Sequence, residues 1–87
     1  MRTIGLIGGM SWESSIEYYR IINETVRRRL GGLHSARCLM YSFDFAEIAS
    51  LQRQDAWQAA ADRMIEVGKA LAGAGADFLV VCTNTMH

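Results

Sequence analysis

Eighty-seven residues, 51% of them hydrophobic and 21% charged, describe a folded chain of one small domain or part of a larger one. Nine Lys and Arg against nine Asp and Glu leave no formal net charge, which argues against a dedicated nucleic-acid binder. No apolar run approaches the roughly 18–20 residues of a membrane span, and Met1-Arg2-Thr3-Ile4-Gly5 lacks the long apolar core of a signal peptide, so a cytoplasmic protein is expected.

The spacing predicts a first strand over Thr3 to Ile7, ended by Gly8-Gly9. A loop from Gly8 to Glu13 leads to a helix, and Ser14-Ser15-Ile16-Glu17 has the S-x-x-E form of a capping box with Ser14 as the cap. Ile16, Tyr19, Ile22, Val26 and Leu30 follow at helical spacing and predict one apolar face. Arg20, Glu24, Arg27 and Arg28 are assigned to water, and Gly31-Gly32 to the stop. A second strand is expected from Arg37 to Ser42. Phe45 to Arg53 reads as a short helix or a lid, with Ile48 and Leu51 turned inward. Asp55 is the expected cap of a second long helix, on which Trp57, Ala60, Ala61, Met64, Gly68 and Leu71 share a face. Gly68 there costs about 1 kcal/mol against Ala, which a close approach of helix and sheet would explain. Gly73 and Gly75 end that helix, and Asp77 opens a last strand. With no proline, linker or repeat, the order is βαβαβ: an α/β fold with a parallel sheet, half of a doubly wound one.

Phe78-Leu79-Val80-Val81 runs into Cys82 and then Thr83-Asn84-Thr85. A short apolar run rich in Val predicts a strand buried on both faces, with Cys82 at its carboxyl end, where open α/β sheets bind ligands. Thr83, Asn84 and Thr85 favour turns and helix N-caps, and a helix start there would lower the thiol pKa from about 8.5. A reactive Cys82 should then alkylate faster than Cys38, which lies mid-strand and reads as a small buried hydrophobe. Two cysteines are too few for a disulfide framework, and both are expected to stay reduced.

The remaining candidates have two readings each. Gly8-Gly9-Met10-Ser11 lacks G-x-G-x-x-G and the P-loop pattern, which argues against a nucleotide. It is either a nest of N–H groups suited to a carboxylate or a tight turn that needs glycine. Trp12 either walls a pocket or packs over the sheet end, and packing is preferred. Asp44 and Glu47 either reach a pocket mouth or lie in a solvated loop, and the loop is preferred. His34, Cys38, Cys82 and His87 match no zinc-ligand spacing, so no metal is expected.

Three stretches taken together, Ile4 through Ser14, Leu30-Gly31-Gly32-Leu33-His34-Ser35, and Cys82 through His87, resemble the aspartate/glutamate racemase family over the whole chain. The resemblance implies one amino-terminal lobe, residues 1–87, truncated after His87, of a two-lobed α/β/α enzyme. It implies racemisation of aspartate or glutamate without pyridoxal phosphate, metal or other cofactor. Two cysteines would face the substrate Cα, one taking the proton and the other returning one. Fixed donors must stabilise the charge that grows on the carboxylate, and the base must be poised near the working pH. Cys82 is implied as one of the two, with Met10, Gln52, Thr83, Asn84 and Thr85 about the substrate. The implied partners are a small amino acid and, for the full-length enzyme, a second copy, with no nucleic acid or membrane. The second cysteine belongs to a lobe absent from these residues, so the chain alone is expected to be inactive. Relatives that isomerise or decarboxylate small dicarboxylic acids, and a non-catalytic carboxylate-binding module, are the alternatives. A cysteine hydrolase ranks last, for want of a histidine base near Cys82.

Overall fold

The computed structural model describes residues 1–83. Its elements are β1 (Ile4–Gly8), α1 (Trp12–Leu30), β2 (Cys38–Ser42), α2 (Phe45–Arg53), α3 (Trp57–Gly73) and β3 (Phe78–Val81). The three strands form one parallel sheet, as the βαβαβ pattern predicts, and their order is β2-β1-β3. Ile4 pairs with Cys38 on one side and Phe78 on the other, and Ile7 with Tyr41 and Val81.

Side chains alternate across a strand, so each strand feeds both faces. On one face Ile7 joins Phe43, Ile48, Val67 and Leu71 in the buried cluster, with Leu39, Tyr41 and Met64 packed against it. This is the α2–α3 side. Gly68 stands where the helix meets the sheet: a Cβ there would lie 3.1 Å from Leu79 Cδ1. The close approach expected from its cost is therefore present. Arg63 fastens the same side, bonding Tyr41 Oη at 2.7 Å and Glu47 at 3.0 Å and lying over the rings of Tyr41 and Phe43.

α1 covers the other face, and differently from expectation. It begins at Trp12 with Ser11 as cap, three residues before the capping box would start it, and Ser11 makes no side-chain cap bond. The N–H groups of Ser14 and Ser15 instead reach the Ser11 carbonyl, and Glu17 pairs with Arg20 at 2.7 Å. The face turned to the sheet also differs from the predicted one. Ser14 and Ser15 are its buried residues, while Ile16, Tyr19 and Leu30 of the predicted apolar face are 49–55% exposed.

Other boundaries moved for similar reasons. Asp55 adopts φ +53° and Ala56, not Asp55, precedes α3, whose Trp57 is 60% exposed. Residues 45–53 form a true helix, capped by Asp44, whose carboxylate accepts the Ala46 N–H at 3.1 Å. Ile48 is buried there as expected and Leu51 half-buried. β3 is an edge strand in this sheet, and Phe78, Leu79 and Val81 are 42–45% exposed rather than buried on both faces. Among the described residues, no helix is long and apolar enough to cross a membrane.

Candidate active site

The carboxyl ends of all three strands converge on Gly8 and Gly9. β3 runs alongside β1, so Cys82 follows Val81 to a position beside Gly8, and its N–H donates to the Ile7 carbonyl at 2.8 Å. On the other side the Phe43 N–H donates to the Gly8 carbonyl at 2.8 Å. Glycine is required twice here. A Cβ on Gly8 would collide with Ser15 Oγ and come within 3.9 Å of Cys82 Cβ. Gly9 sits at φ +93°, and a Cβ there would drive into the Phe43 backbone.

Ser15 closes the loop from above. Its buried hydroxyl accepts the Gly9 N–H at 3.1 Å. That N–H is thus spent within the protein, which favours the tight-turn reading of the loop over an open nest for a carboxylate. Tyr18, one turn further along α1, donates its hydroxyl to the Thr83 carbonyl at 3.2 Å. One helix therefore holds both the first loop and the chain leaving β3. Neither Ser15 nor Tyr18 was predicted as a site residue. The adjacent serines were the available signal, since paired small hydroxyls in a first helical turn suit a close approach to backbone.

Cys82 is fully buried, and burial pushes its thiol pKa up from the ordinary value. This is opposite in direction to the lowering expected from a helix start. That helix start, together with Asn84 and Thr85 of the expected substrate set, lies outside the described residues. Met10 is half-buried on the first loop and packs against the α3-side cluster. Gln52 is exposed on α2, one turn beyond the buried Ile48.

Cys38 is half-buried, not fully so, and is the first residue of β2. It pairs with Ile4, whereas Cys82 lies beside Gly8, four residues along β1. At roughly 3.3 Å per residue the two thiols sit at opposite ends of the sheet, about 13 Å apart along the strands. Trp12 does not pack over the sheet end: it is 62% exposed in the first turn of α1 and walls a shallow depression with Ile16, Tyr19 and Met40. Asp44 and Glu47 are both exposed, as the solvated reading expects, but Asp44 caps α2 and Glu47 lies within that helix and binds Arg63.

The chain is a parallel α/β lobe with a cysteine at the carboxyl end of a strand, beside a glycine loop, and the carboxyl ends of strands are where open α/β sheets bind ligands. Comparison goes further: residues 7–87 match the Asp/Glu/Hydantoin racemase family, and the chain belongs to it. A Yersinia pestis crystal structure, assigned provisionally as an Asp/Glu racemase, is 56% identical and superposes on this whole chain with a TM-score of 0.94. An aspartate racemase homologue from Pyrococcus horikoshii OT3 is 32% identical over the whole chain, with a TM-score of 0.85. In both cases the chain spans 38% of the length of the structure it matches.

Proposed function

We propose that this chain is the lobe of a cofactor-independent amino-acid racemase that supplies one of two thiols, acting at Cα of aspartate or glutamate. The observation that carries the reading is Cys82, buried at the end of β3 beside Gly8, with its neighbours fixed by Ser15 and Tyr18. Membership of the racemase family supports it.

An amino-acid Cα–H is a very weak acid, so the proton must leave to a thiolate while donors stabilise the charge gathering on the carboxylate. A second proton must arrive from the opposite face. Burial favours the neutral form of Cys82, which suits the donor half of that exchange. In that half the Sγ–H bond breaks, the electron pair on Cα takes the proton, and Cys82 is left as thiolate. The reverse turnover runs from that thiolate. Thr83, with Asn84 and Thr85, would hold the substrate's charged groups, and Met10 and Gln52 would wall the site. Cys38 cannot be the second thiol, because it lies at the far end of the sheet.

The chain alone should therefore not racemise amino acids. Replacing the matching stretch of the Yersinia pestis protein by this chain should give an active hybrid, read as Cα proton exchange in D2O on both enantiomers of aspartate and glutamate. Cys82→Ser in the hybrid should lower exchange at least about 1,000-fold, the cost expected when a proton-transfer group is lost and not replaced. Full activity of that variant would remove Cys82 from the chemistry. Inactivity of the hybrid on all four substrates, with the Yersinia pestis protein active, would favour dicarboxylate isomerisation or decarboxylation. Turnover by the isolated chain would sink the two-lobe reading.

A further inference from the structure

Tyr18 ties α1 to the chain that leaves β3. Its hydroxyl donates to the Thr83 carbonyl at 3.2 Å, across 65 residues of sequence. Ser15, three residues earlier on the same face of the helix, accepts the Gly9 N–H at 3.1 Å. Cys82 stands between these two attachments, and its own N–H is bonded to the Ile7 carbonyl at 2.8 Å. The thiol residue is thus held by the sheet, and the residue that follows it by α1. Walls on every side do not fix the phenol: Tyr18 is half-buried and borders an open depression of about 360 Å³ with Glu17, Ile21 and Ile22. The bond to Thr83 sets where its hydroxyl lies. A phenol carries its donor at the far end of a ring, a reach that serine and threonine lack, and phenylalanine keeps the ring without the donor.

We propose that Tyr18 is a positioning residue of the reaction, whose hydroxyl holds Thr83 in place beside the Cys82 thiol. This rests on the racemase reading above, in which Thr83 helps to hold the charged groups of the substrate, and adds to it a residue that acts through Thr83 rather than on the substrate. A trans peptide is rigid and planar, so a fixed Thr83 carbonyl fixes the direction in which the chain leaves Cys82. Placement matters because the substrate carboxylate gains charge as the Cα proton moves. A donor already in place meets that charge without rearrangement, whereas one that must first be drawn in raises the barrier. The Tyr18 hydroxyl is therefore felt more in the transition state than in ground-state binding, and its loss should fall on kcat before KM. The adjacent phenol supplies the contrast. Tyr19 is 49% exposed and borders the depressions beside Met40 and beside His34 instead.

The hybrid with the Yersinia pestis protein tests this through Tyr18→Phe, which removes one oxygen and keeps the ring. Cα exchange should show kcat lowered at least about 10-fold with KM within about 3-fold of the parent hybrid. Tyr19→Phe should leave both constants within about 2-fold. A second readout needs no turnover: iodoacetamide labelling of the hybrid, followed peptide by peptide. Tyr18→Phe should speed labelling of Cys82 at least about 5-fold relative to Cys38 in the same molecules, because the strand end loosens locally, whereas global unfolding would speed both thiols. Unchanged kinetics in Tyr18→Phe, with the parent active and Cys82→Ser inactive, would overturn the positioning role and leave the racemase reading standing. Equal losses in Tyr18→Phe and Tyr19→Phe, or a loss confined to KM, would overturn it as well. A hybrid inactive on all four substrates would remove the racemase reading and the role in that reaction together. The labelling ratio would then decide whether Tyr18 holds the strand end, and an unchanged ratio would overturn that too.

Discussion

The two faces of the sheet are built on different rules. Toward α3 the strands offer Ile7, Leu39 and Tyr41 to Val67 and Leu71, and bulk meets bulk. Toward α1 they end in Gly8, Ser42 and Cys82, and the helix answers with Ser14, Ser15 and Tyr18. One face gains its free energy from apolar area removed from water. The other buries Leu6 in mid-strand but at the strand ends brings backbone and small hydroxyls close together, a geometry that large side chains there would prevent. The comparison teaches that side-chain bulk and close backbone approach are separated by face as well as by position along the strand. Substitutions should therefore sort by face, and the loop where both meet should be the most sensitive place of all.

That loop gives the largest expected effect. Gly9 carries a positive φ, and its missing Cβ is filled by the Phe43 backbone, which neither rotates nor retreats. Gly9→Ala should destabilise the chain by about 3 kcal/mol or more, through left-handed strain and a backbone collision together. Chemical denaturation would show it as a lower midpoint with the same slope. A loss under 1 kcal/mol would mean the loop can reorganise, and that the strand ends are not locked as described.

Next come the two faces set directly against each other. Leu71→Ala removes a buried side chain from the α3 cluster and should cost about 2–4 kcal/mol. Ser15→Ala on the other face removes one acceptor, that of the Gly9 N–H, and should cost about 1–2 kcal/mol. In the active hybrid the order should invert: Ser15→Ala should reduce exchange more than Leu71→Ala does, because it frees the loop beside Cys82. Equal effects of the two on activity would erase the distinction between faces.

The parallel sheet and the place of Cys82 at the end of β3 were legible in the sequence because their signals are local. Apolar runs, glycine stops and a cysteine followed by Thr-Asn-Thr need no knowledge of what packs where. The face that α1 turns to the sheet was not legible. Ile16, Tyr19 and Leu30 have helical spacing whichever surface covers them, and periodicity names a face without naming its partner. The capping box misled for a related reason, since Ser14 and Glu17 also suit a first turn already under way. The exposure of β3 is a matter of topology: the same Phe-Leu-Val-Val is buried in a central strand and open at an edge. The direction of the Cys82 pKa turned on burial, which no short motif encodes.

Cys82 and Cys38 sharpen the comparison chemically. The sign for Cys82 follows from linkage. Its folded pKa lies above the ordinary thiol value, so the folded chain binds the proton more tightly than the unfolded one. The stabilisation is complete below the unfolded pKa and is lost as pH rises toward the folded value. Other groups titrate in this window, so the measurement is a difference: the stability of the parent should fall more steeply above pH 9 than that of Cys82→Ala. Parallel curves would mean that the thiol is not desolvated. By the same burial, iodoacetamide at neutral pH should label half-buried Cys38 before Cys82, reversing the order expected from sequence. Rapid labelling of Cys82 would show that the strand end opens in solution.

The smallest effect falls on the exposed face of α1. Ile16 is more than half exposed in the single chain, so Ile16→Ser should change the stability of the monomer by no more than about 0.5 kcal/mol. Leu71, at the same hydropathy but on the α3 face, should cost several times as much at any concentration. If that face pairs with the second copy that the family resemblance implies, the indifference at Ile16 ends as protein concentration rises, because folding and association are then linked by mass action. Denaturation midpoints measured at micromolar and at near-millimolar chain should agree for Ile16→Ser and differ for the parent. A concentration-independent parent would leave Ile16 a solvated residue, and would confine the contribution of α1 to the face that carries Ser15 and Tyr18.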